Sequence, residues 1–193
     1  MKSPSQNEVV VLLSGGIDST ACLKFFLDLG RFPYGMFIDY GQMASSEELR
    51  AARGVAQHYE VALQELTIAN ARPKTTGVIP GRNSFLLSTA VMERKDSVRV
   101  IALGIHGGTL YRDCSTEFYS YAQQLIGWSE NGDVSLSAPF LEWSKADVVQ
   151  FCLQRSVPLE LTYSCENGGR VHCGSCNSCK DRELIHACQA YNA

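Results

Sequence analysis

Two groups of residues in this 193-residue chain have types and spacings that carry chemistry. The first is Ser14-Gly15-Gly16-Ile17-Asp18-Ser19-Thr20, directly after the apolar run 9–13 that ends in Leu13. If a helix opens near Asp18, its first N–H groups are unpaired and carry partial positive charge. Two glycines let the backbone approach an anion, and Ser14, Ser19 and Thr20 add hydroxyl donors. The chemistry would be phosphate binding; the plain alternative is a tight turn capped by Ser14 or Asp18. The string is neither GxxxxGK(S/T) nor GxGxxG, so it lacks the lysine with which a P-loop holds a γ-phosphate. The second group is Cys165, Cys173, Cys176 and Cys179, spaced C-x7-C-x2-C-x2-C. Four thiolates suit Zn²⁺ in a closed tetrahedral site, which leaves no position for a catalytic water and so implies a structural role. An iron–sulfur cluster uses the same number of cysteines, and Cys176 with Cys179 alone would make a redox dithiol. His172, beside Cys173, reads as a neighbour of the site.

The order of apolar runs and helical periods tells what must position these residues. Strands are expected over 8–13, 34–39, 61–66, 98–103 and, weakly, 134–137. Helices are expected over 18–29, 45–59, 83–92, 116–126 and 144–155, with a loop over 67–81. Cys22, Phe25, Phe26 and Leu29 would form the buried face of the first helix. Strand and helix alternate, which predicts an α/β fold: a doubly wound, mostly parallel sheet with helices on both faces. In such a sheet ligands bind at the carboxyl ends of the strands, where the Ser14–Ser19 loop lies. The second strand ends in Asp39-Tyr40-Gly41-Gln42 at the same edge, where Asp39 and Gln42 could meet a ribose or base and Tyr40 a ring. After Pro158 the composition turns to Cys, Gly, Asn and Ser, closed by a helix over 180–190. The expected organisation is an α/β domain over 1–158 and a small metal-stapled appendage over 159–193.

Composition narrows the class. At 45% hydrophobic and 19% charged residues the chain reads as globular. A formal net charge of −3 gives no basic footprint and argues against nucleic acid as a partner. The start, 1–7, lacks the apolar core of a signal peptide, and no apolar run is long enough to span a bilayer. Both point to the cytoplasm, where eight cysteines in a reducing compartment favour metal over disulfides.

The SGGIDS string resembles the pyrophosphate loop, SGGxDS, of the N-type ATP pyrophosphatases. That resemblance implies ATP and Mg²⁺ over Leu13–Thr20 (Leu13, Ser14, Gly15, Gly16, Ile17, Asp18, Ser19 and Thr20), cleavage between the α- and β-phosphates, and AMP transfer to a carbonyl oxygen. Further strings are similar to one branch, the 7-cyano-7-deazaguanine synthases: IDYGQ at 38–42, IPGRNSFLLSTA at 79–90, YRDCSTEF at 111–118, APFLEWSKADVV at 138–149, and TYSC with CGSCNSCKDR at the end. The branch implies a ligase that adenylates 7-carboxy-7-deazaguanine, uses ammonia to form the nitrile, binds Zn²⁺ and assembles as a homodimer. Candidate catalytic residues are Asp18, Arg82, Asp113 and Lys145; Arg82 and Lys145 would contact phosphate, and Asp113, with Glu117 nearby, would meet substrate or Mg²⁺. Asp39, Tyr40 and Gln42 would join the nucleotide site. The chain departs from the branch before Tyr111, where an acidic stretch containing Gly-Tyr-Pro is replaced by Ile105-His106-Gly107-Gly108-Thr109-Leu110, and Arg112 stands for the proline. Other readings share the loop: a relative that adenylates a different carboxylate or stops at the amide, and an RNA thiolase, which would need a sulfur-carrying cysteine and an RNA-binding module.

Overall fold

The structure is a computed structural model that describes residues 7–74, 78–109 and 111–191. Parts of the expectations at 1–7, 67–81 and 105–110 therefore lie outside the described residues. In chain order the elements are β1 (Glu8–Leu12), α1 (Ile17–Asp28), β2 (Phe32–Asp39), α2 (Ser45–His58), β3 (Leu63–Thr67), α3 (Arg82–Glu93), β4 (Val100–Ala102), α4 (Thr116–Ser129), β5 (Ser135–Ser137), α5 (Lys145–Gln154) and α6 (Asn177–Tyr191). The five strands form one sheet in the order β3-β2-β1-β4-β5, and every pairing is parallel. The chain winds outward from β1 through β2 to β3, then returns to the other side of β1 for β4 and β5. The carboxyl ends of β1 and β4 therefore flank the topological switch point.

The valine run of β1 explains its central place. Strand side chains alternate, so a strand buried on both faces needs apolar residues throughout. Val9, Val11 and Leu13 pack on one face with Leu23 and Phe26 of α1, Val55 of α2 and Val148 and Val149 of α5. Val10 packs on the other with Met36, Ile101, Leu87 of α3 and Ile126 of α4. Ile185 of α6 joins the first core, while Tyr163, Cys165 and Cys179 pack on Ala44 and on Ala51 of α2. Among the described residues no helix is long and apolar enough to cross a membrane.

Several boundaries differ from expectation, among them the end of α4 and the start of β3, and three have identifiable reasons. β2 begins at Phe32 despite Pro33. The Phe32 N–H donates toward β1, so the nitrogen of Pro33 faces the other side, where β3 has not yet begun to pair. β4 is shorter than its apolar run, because Val98 closes a turn onto Lys95 before pairing starts. α6 starts at Asn177, ahead of the expected 180, since the distant Glu166 carboxylate accepts hydrogen bonds from the N–H and hydroxyl of Ser178 in its first turn. Leu29, expected on the buried face of α1, is 60% exposed. It lies past the end of the helix, and Ala21, Cys22 and Leu23 fill the buried face instead.

Candidate active site and metal centre

In a parallel sheet each helix that follows a strand starts at the carboxyl edge, and here the N-termini of five helices, α1, α2, α3, α5 and α6, meet around one cavity of about 320 Å³. Its wall includes Ile17, Asp18 and Ser19 of α1, Arg82 and Asn83 of α3, Lys145 of α5 and Ser178 and Asp181 of α6. The aligned backbone dipoles make such a convergence a site for anions.

The loop before α1 is shaped by its glycines. Gly15 has φ +77°, and a Cβ there would stand 2.6 Å from the Ala52 nitrogen and 2.7 Å from the Glu48 carbonyl oxygen. Only glycine combines that backbone with that closeness to α2. Gly16 is the N-cap of α1 and supplies no side-chain cap, so the first N–H groups of the helix remain available to a ligand. The Ser14 and Ser19 hydroxyls lie 3.1 Å apart, and Ser19 also donates to the Gly16 carbonyl. Gly104, after β4, comes so close to the first turn of α1 that an added Cβ would be 2.3 Å from the Asp18 carbonyl oxygen. The segment after β4 is thus packed against the first turn of α1 at the switch point.

Asp18 and Lys145, 127 residues apart, form the central ion pair: the ammonium lies 2.6 and 2.7 Å from the two carboxylate oxygens. Lys145 is the first residue of α5, whose start is fixed by a capping box in which Ser144 and Asp147 exchange hydrogen bonds. A lysine at a helix N-terminus opposes the dipole, so its position there is set by what it faces. His106 is 5% exposed, with Nε2 3.9 Å from an Asp18 oxygen and Nδ1 buried without a hydrogen-bond partner among the described residues. Burial lowers its pKa; the Asp18 charge opposes that shift and Lys145 adds to it.

Of the residues expected from sequence, Leu13, Ser14, Gly16, Ile17, Asp18, Ser19, Tyr40, Gln42, Arg82 and Lys145 line this cavity. Arg82 sits beside the Tyr40 hydroxyl, whose pKa burial pushes up to about 12. Gly15 stands behind the lining as the loop's contact with α2. Three others do different work. Thr20 is fully buried on α1 and does not line the cavity. Asp39 accepts the Gly41 N–H and so closes the turn after β2. Asp113 receives the Asn83 N–H at 3.4 Å, while its carbonyl takes the Asn83 amide at 2.7 Å, which ties it to the start of α3. Glu117 is exposed on α4. Gln42 reaches the cavity, but its amide is already engaged: it accepts from the Tyr40 N–H and donates to the Ile38 carbonyl and to Glu48.

The sequence reading did not anticipate Glu48, Asn83, Tyr163, Glu166 or Asp181 on the wall. Asn83 follows the glycine-bearing loop before α3, a signal that was present, whereas Glu48 lies in the first turn of α2. The last three come from the tail, and nothing local in sequence tells where the tail returns. It returns because the Tyr163 N–H donates to the Gly15 carbonyl and Arg182 donates to the Thr162 hydroxyl and the Leu159 carbonyl.

The four cysteine sulfurs all lie within 4.8 Å of one another, and those of Cys173 and Cys179 are 3.9 Å apart. A metal–sulfur bond of about 2.3 Å in tetrahedral geometry sets sulfurs about 3.8 Å apart, so the set has the dimensions of a single-ion site. A four-iron cluster binds each thiolate to a different iron and spreads the sulfurs further. Cys165 and Cys179 are buried and Cys173 is exposed. The hydroxyl and N–H of Ser175 and the N–H of Cys176 hold the Cys173 thiol down to about 5, in the range where the ligating thiolate form prevails. By contrast burial pushes Cys152 up to about 12 and Cys22 up as well, which marks both as inert core thiols.

This geometry accompanies clear sequence kinship. Among solved structures the chain resembles the U34-tRNA thiolase NcsA from Methanococcus maripaludis, with 12% identity, a TM-score of 0.56, and 96% of this chain and 73% of that one covered. It also resembles NMN synthetase from Francisella tularensis, with 13% identity, a TM-score of 0.55 and coverage of 97% and 78%. At such identity these likenesses establish the fold. Among curated sequences it is 31% identical to the 7-cyano-7-deazaguanine synthase of Synechococcus sp. (strain CC9605), over 93% of this chain and 92% of that protein. It is 32% identical to the enzyme of the same name from Oceanobacillus iheyensis, over 91% of each. The pattern of the family described as Queuosine biosynthesis protein QueC matches residues 8–76 and 69–189, the first span carrying the glycine loop and the second Lys145 and all four cysteines. With the loop, the ion pair and the cysteine centre all inside those spans, the chain belongs to the QueC family.

Proposed function

We propose that this chain adenylates 7-carboxy-7-deazaguanine with ATP and uses ammonia to form 7-cyano-7-deazaguanine, releasing AMP and pyrophosphate. The observation that carries the reading is the anion cavity at the switch point, built around Asp18 and Lys145, in a chain whose relatives bear that enzyme's name over nine-tenths of its length. The chemistry needs two activations. A carboxylate oxygen attacks the α-phosphorus of ATP and pyrophosphate leaves. Ammonia then adds to the acyl carbon and AMP leaves with the carboxylate oxygen, giving the amide. The amide oxygen attacks a second ATP in the same way, and loss of AMP and of the nitrogen's protons leaves the nitrile.

The residues act by position and charge. The N–H groups at the start of α1 and the hydroxyls of Ser14 and Ser19 hold the departing pyrophosphate, and Lys145 and Arg82 offset its charge. Asp18 orients Lys145 and is the carboxylate beside the loop that fits Mg²⁺, which neutralises phosphate oxygens when bound. Tyr40 offers a ring surface to the adenine. The cysteine set fits Zn²⁺, and its role in this reading is to hold the tail against the cavity. Use of ATP, with eight free cysteines, favours the cytoplasm. A homodimer is supported by an exposed apolar stripe, Tyr121, Leu125 and Trp128, on α4.

The test is to incubate the protein with ATP, Mg²⁺, an ammonium salt and 7-carboxy-7-deazaguanine and to follow product mass and AMP. The nitrile, with two AMP per molecule, is expected. Amide as the final product would assign the chain to a single activation, and no consumption of the acid would remove this acceptor.

A further inference from the structure

Glu48 is a wall carboxylate whose placement phosphate binding does not explain. Its peptide carbonyl lies against the phosphate loop, 2.7 Å from where a Cβ on Gly15 would stand. Its side chain reaches the end of β2, where Oε2 accepts the Gln42 amide at 3.0 Å. The same Gln42 accepts the Tyr40 N–H and donates to the Ile38 carbonyl, so its whole amide is spent in fixing one Glu48 oxygen beside Tyr40. Among the described residues Glu48 makes no ion pair, and Oε1 has no hydrogen bond. Burial raises the pKa of its carboxyl; the Gln42 bond and the Arg82 charge oppose that rise, and Asp39 adds to it. The dipole of α2 does not require a second acid here, since Glu47 in the same turn already pairs with Arg50. A carboxylate held in a cavity by one neutral donor is unfavourable unless a ligand donates to it.

We propose that Glu48 holds the ribose of the nucleotide, its free oxygen accepting the 2′- and 3′-hydroxyls. This rests on the use of ATP proposed above and names a specificity residue within that site. In doubly wound sheets that run β3-β2-β1-β4-β5, as this one does, phosphates sit at the turn after β1 and an acid at the end of the second strand takes the ribose hydroxyls. The acid at the end of β2 is Asp39, but it is closed into the Gly41 turn and does not line the cavity. Glu48 stands in its place. It lies between Gly15 at the phosphate end and Tyr40 at the ring end, and ribose is the part of a nucleotide that joins those two. The chemistry agrees: a carboxylate repels phosphate oxygens and has nothing to donate to ring nitrogens, whereas hydroxyls donate to it in charge-assisted bonds.

The test is calorimetric binding of ATP, 2′-deoxy-ATP and 3′-deoxy-ATP to the full-length protein with Mg²⁺ and no acceptor, so that the identity of the acceptor does not enter the readout. The unsubstituted protein is expected to bind ATP about 10- to 100-fold more tightly than either deoxynucleotide. Glu48→Gln is of equal size and can still accept the Gln42 amide, but it turns a donor toward the hydroxyls. It should weaken ATP by a similar factor and lose most of the preference, while Tm holds or rises because a buried charge is gone. A lowered Tm with the preference intact would give Glu48 a purely structural role and overturn the proposal. A raised Mg²⁺ requirement with the preference intact would assign Glu48 to the metal and overturn it as well. Equal binding of the three nucleotides by the unsubstituted protein would remove the ribose contact and leave the proposed reaction standing. Absence of ATP binding would remove both.

Discussion

Gly104→Ala tests whether the close approach of the segment after β4 to the first turn of α1 sets the geometry of the anion cradle. The added Cβ would stand 2.3 Å from the Asp18 carbonyl oxygen, 2.6 Å from its carbon and 2.9 Å from the Ser19 nitrogen. All three are backbone atoms of the first turn of α1, so no side-chain rotation relieves the overlap. Ordinary contact begins near 3.4 Å, so the turn must recede by 3.4 − 2.3, or 1.1 Å. Forcing a methyl group into a packed site costs about 1–3 kcal/mol, which lowers Tm by roughly 2–12 °C at this chain length. The same shift moves the α1 N–H groups relative to Lys145, and a misplacement on the order of 1 Å costs about 10²-fold in kcat. Pyrophosphate release at saturating substrate gives the rate, and thermal unfolding gives the stability. Gly54→Ala is the control: in the helical interior of α2, with nothing within 4 Å of an added Cβ, it should stabilise by about 0.5–1 kcal/mol and leave the rate unchanged. A Gly104→Ala protein with kcat within about threefold of the parent and an unshifted Tm would refute the argument.

Lys145→Ala should cut pyrophosphate release by about 10²- to 10³-fold with the fold intact, because the Asp18 carboxylate it leaves behind sits at a helix N-terminus that tolerates negative charge; near-normal release would remove Lys145 from phosphate handling. Cys176→Ser should lose the metal and increase amide hydrogen exchange across α6, read by elemental analysis and mass spectrometry. Iron in the parent protein in place of zinc would overturn the metal assignment. Burial lowers the folded-state pKa of His106 from its ordinary 6.5, so the unfolded chain takes up the proton first as the pH falls. Stability is therefore fully present above about pH 6.5 and declines below it, and His106→Gln should flatten that decline in Tm between about pH 7.5 and 5.5. An unchanged slope would mean that other groups govern it.

The parts legible in the sequence were those fixed by local pattern. The alternation of β-branched runs with helical periods required a parallel sheet, and that topology alone put the Ser14–Ser19 loop at the ligand-binding edge. Four cysteines within 15 positions announced their own convergence. What stayed hidden depended on partners far along the chain. Asp39 and Gln42 looked like free polar groups at a strand end, yet their side chains are occupied in closing the turn. Asp113 looked available because its tie to Asn83, 30 residues earlier, leaves no mark in either segment. His106 and Gly104 did carry a signal, since a strand ending in glycines at the carboxyl edge marks close backbone approach, but the atoms approached could not be named from the string alone.

The cysteine centre occupies the place in the fold where a strand is missing. Each of α1 to α5 follows a strand, and the strand delivers the helix N-terminus to the carboxyl edge of the sheet. α6 has no such strand before it among the described residues: the chain leaves α5 and must return to the same edge through an irregular segment. Such a segment offers no ladder of hydrogen bonds to fix its path, and ordering it without other ties costs conformational entropy. The four sulfurs, the Tyr163 contact to Gly15 and the Arg182 bonds to Leu159 and Thr162 together supply that constraint. A metal held by the four sulfurs would therefore brace the cavity wall, because α6, which carries Cys179, also carries Ser178 and Asp181 into the cavity.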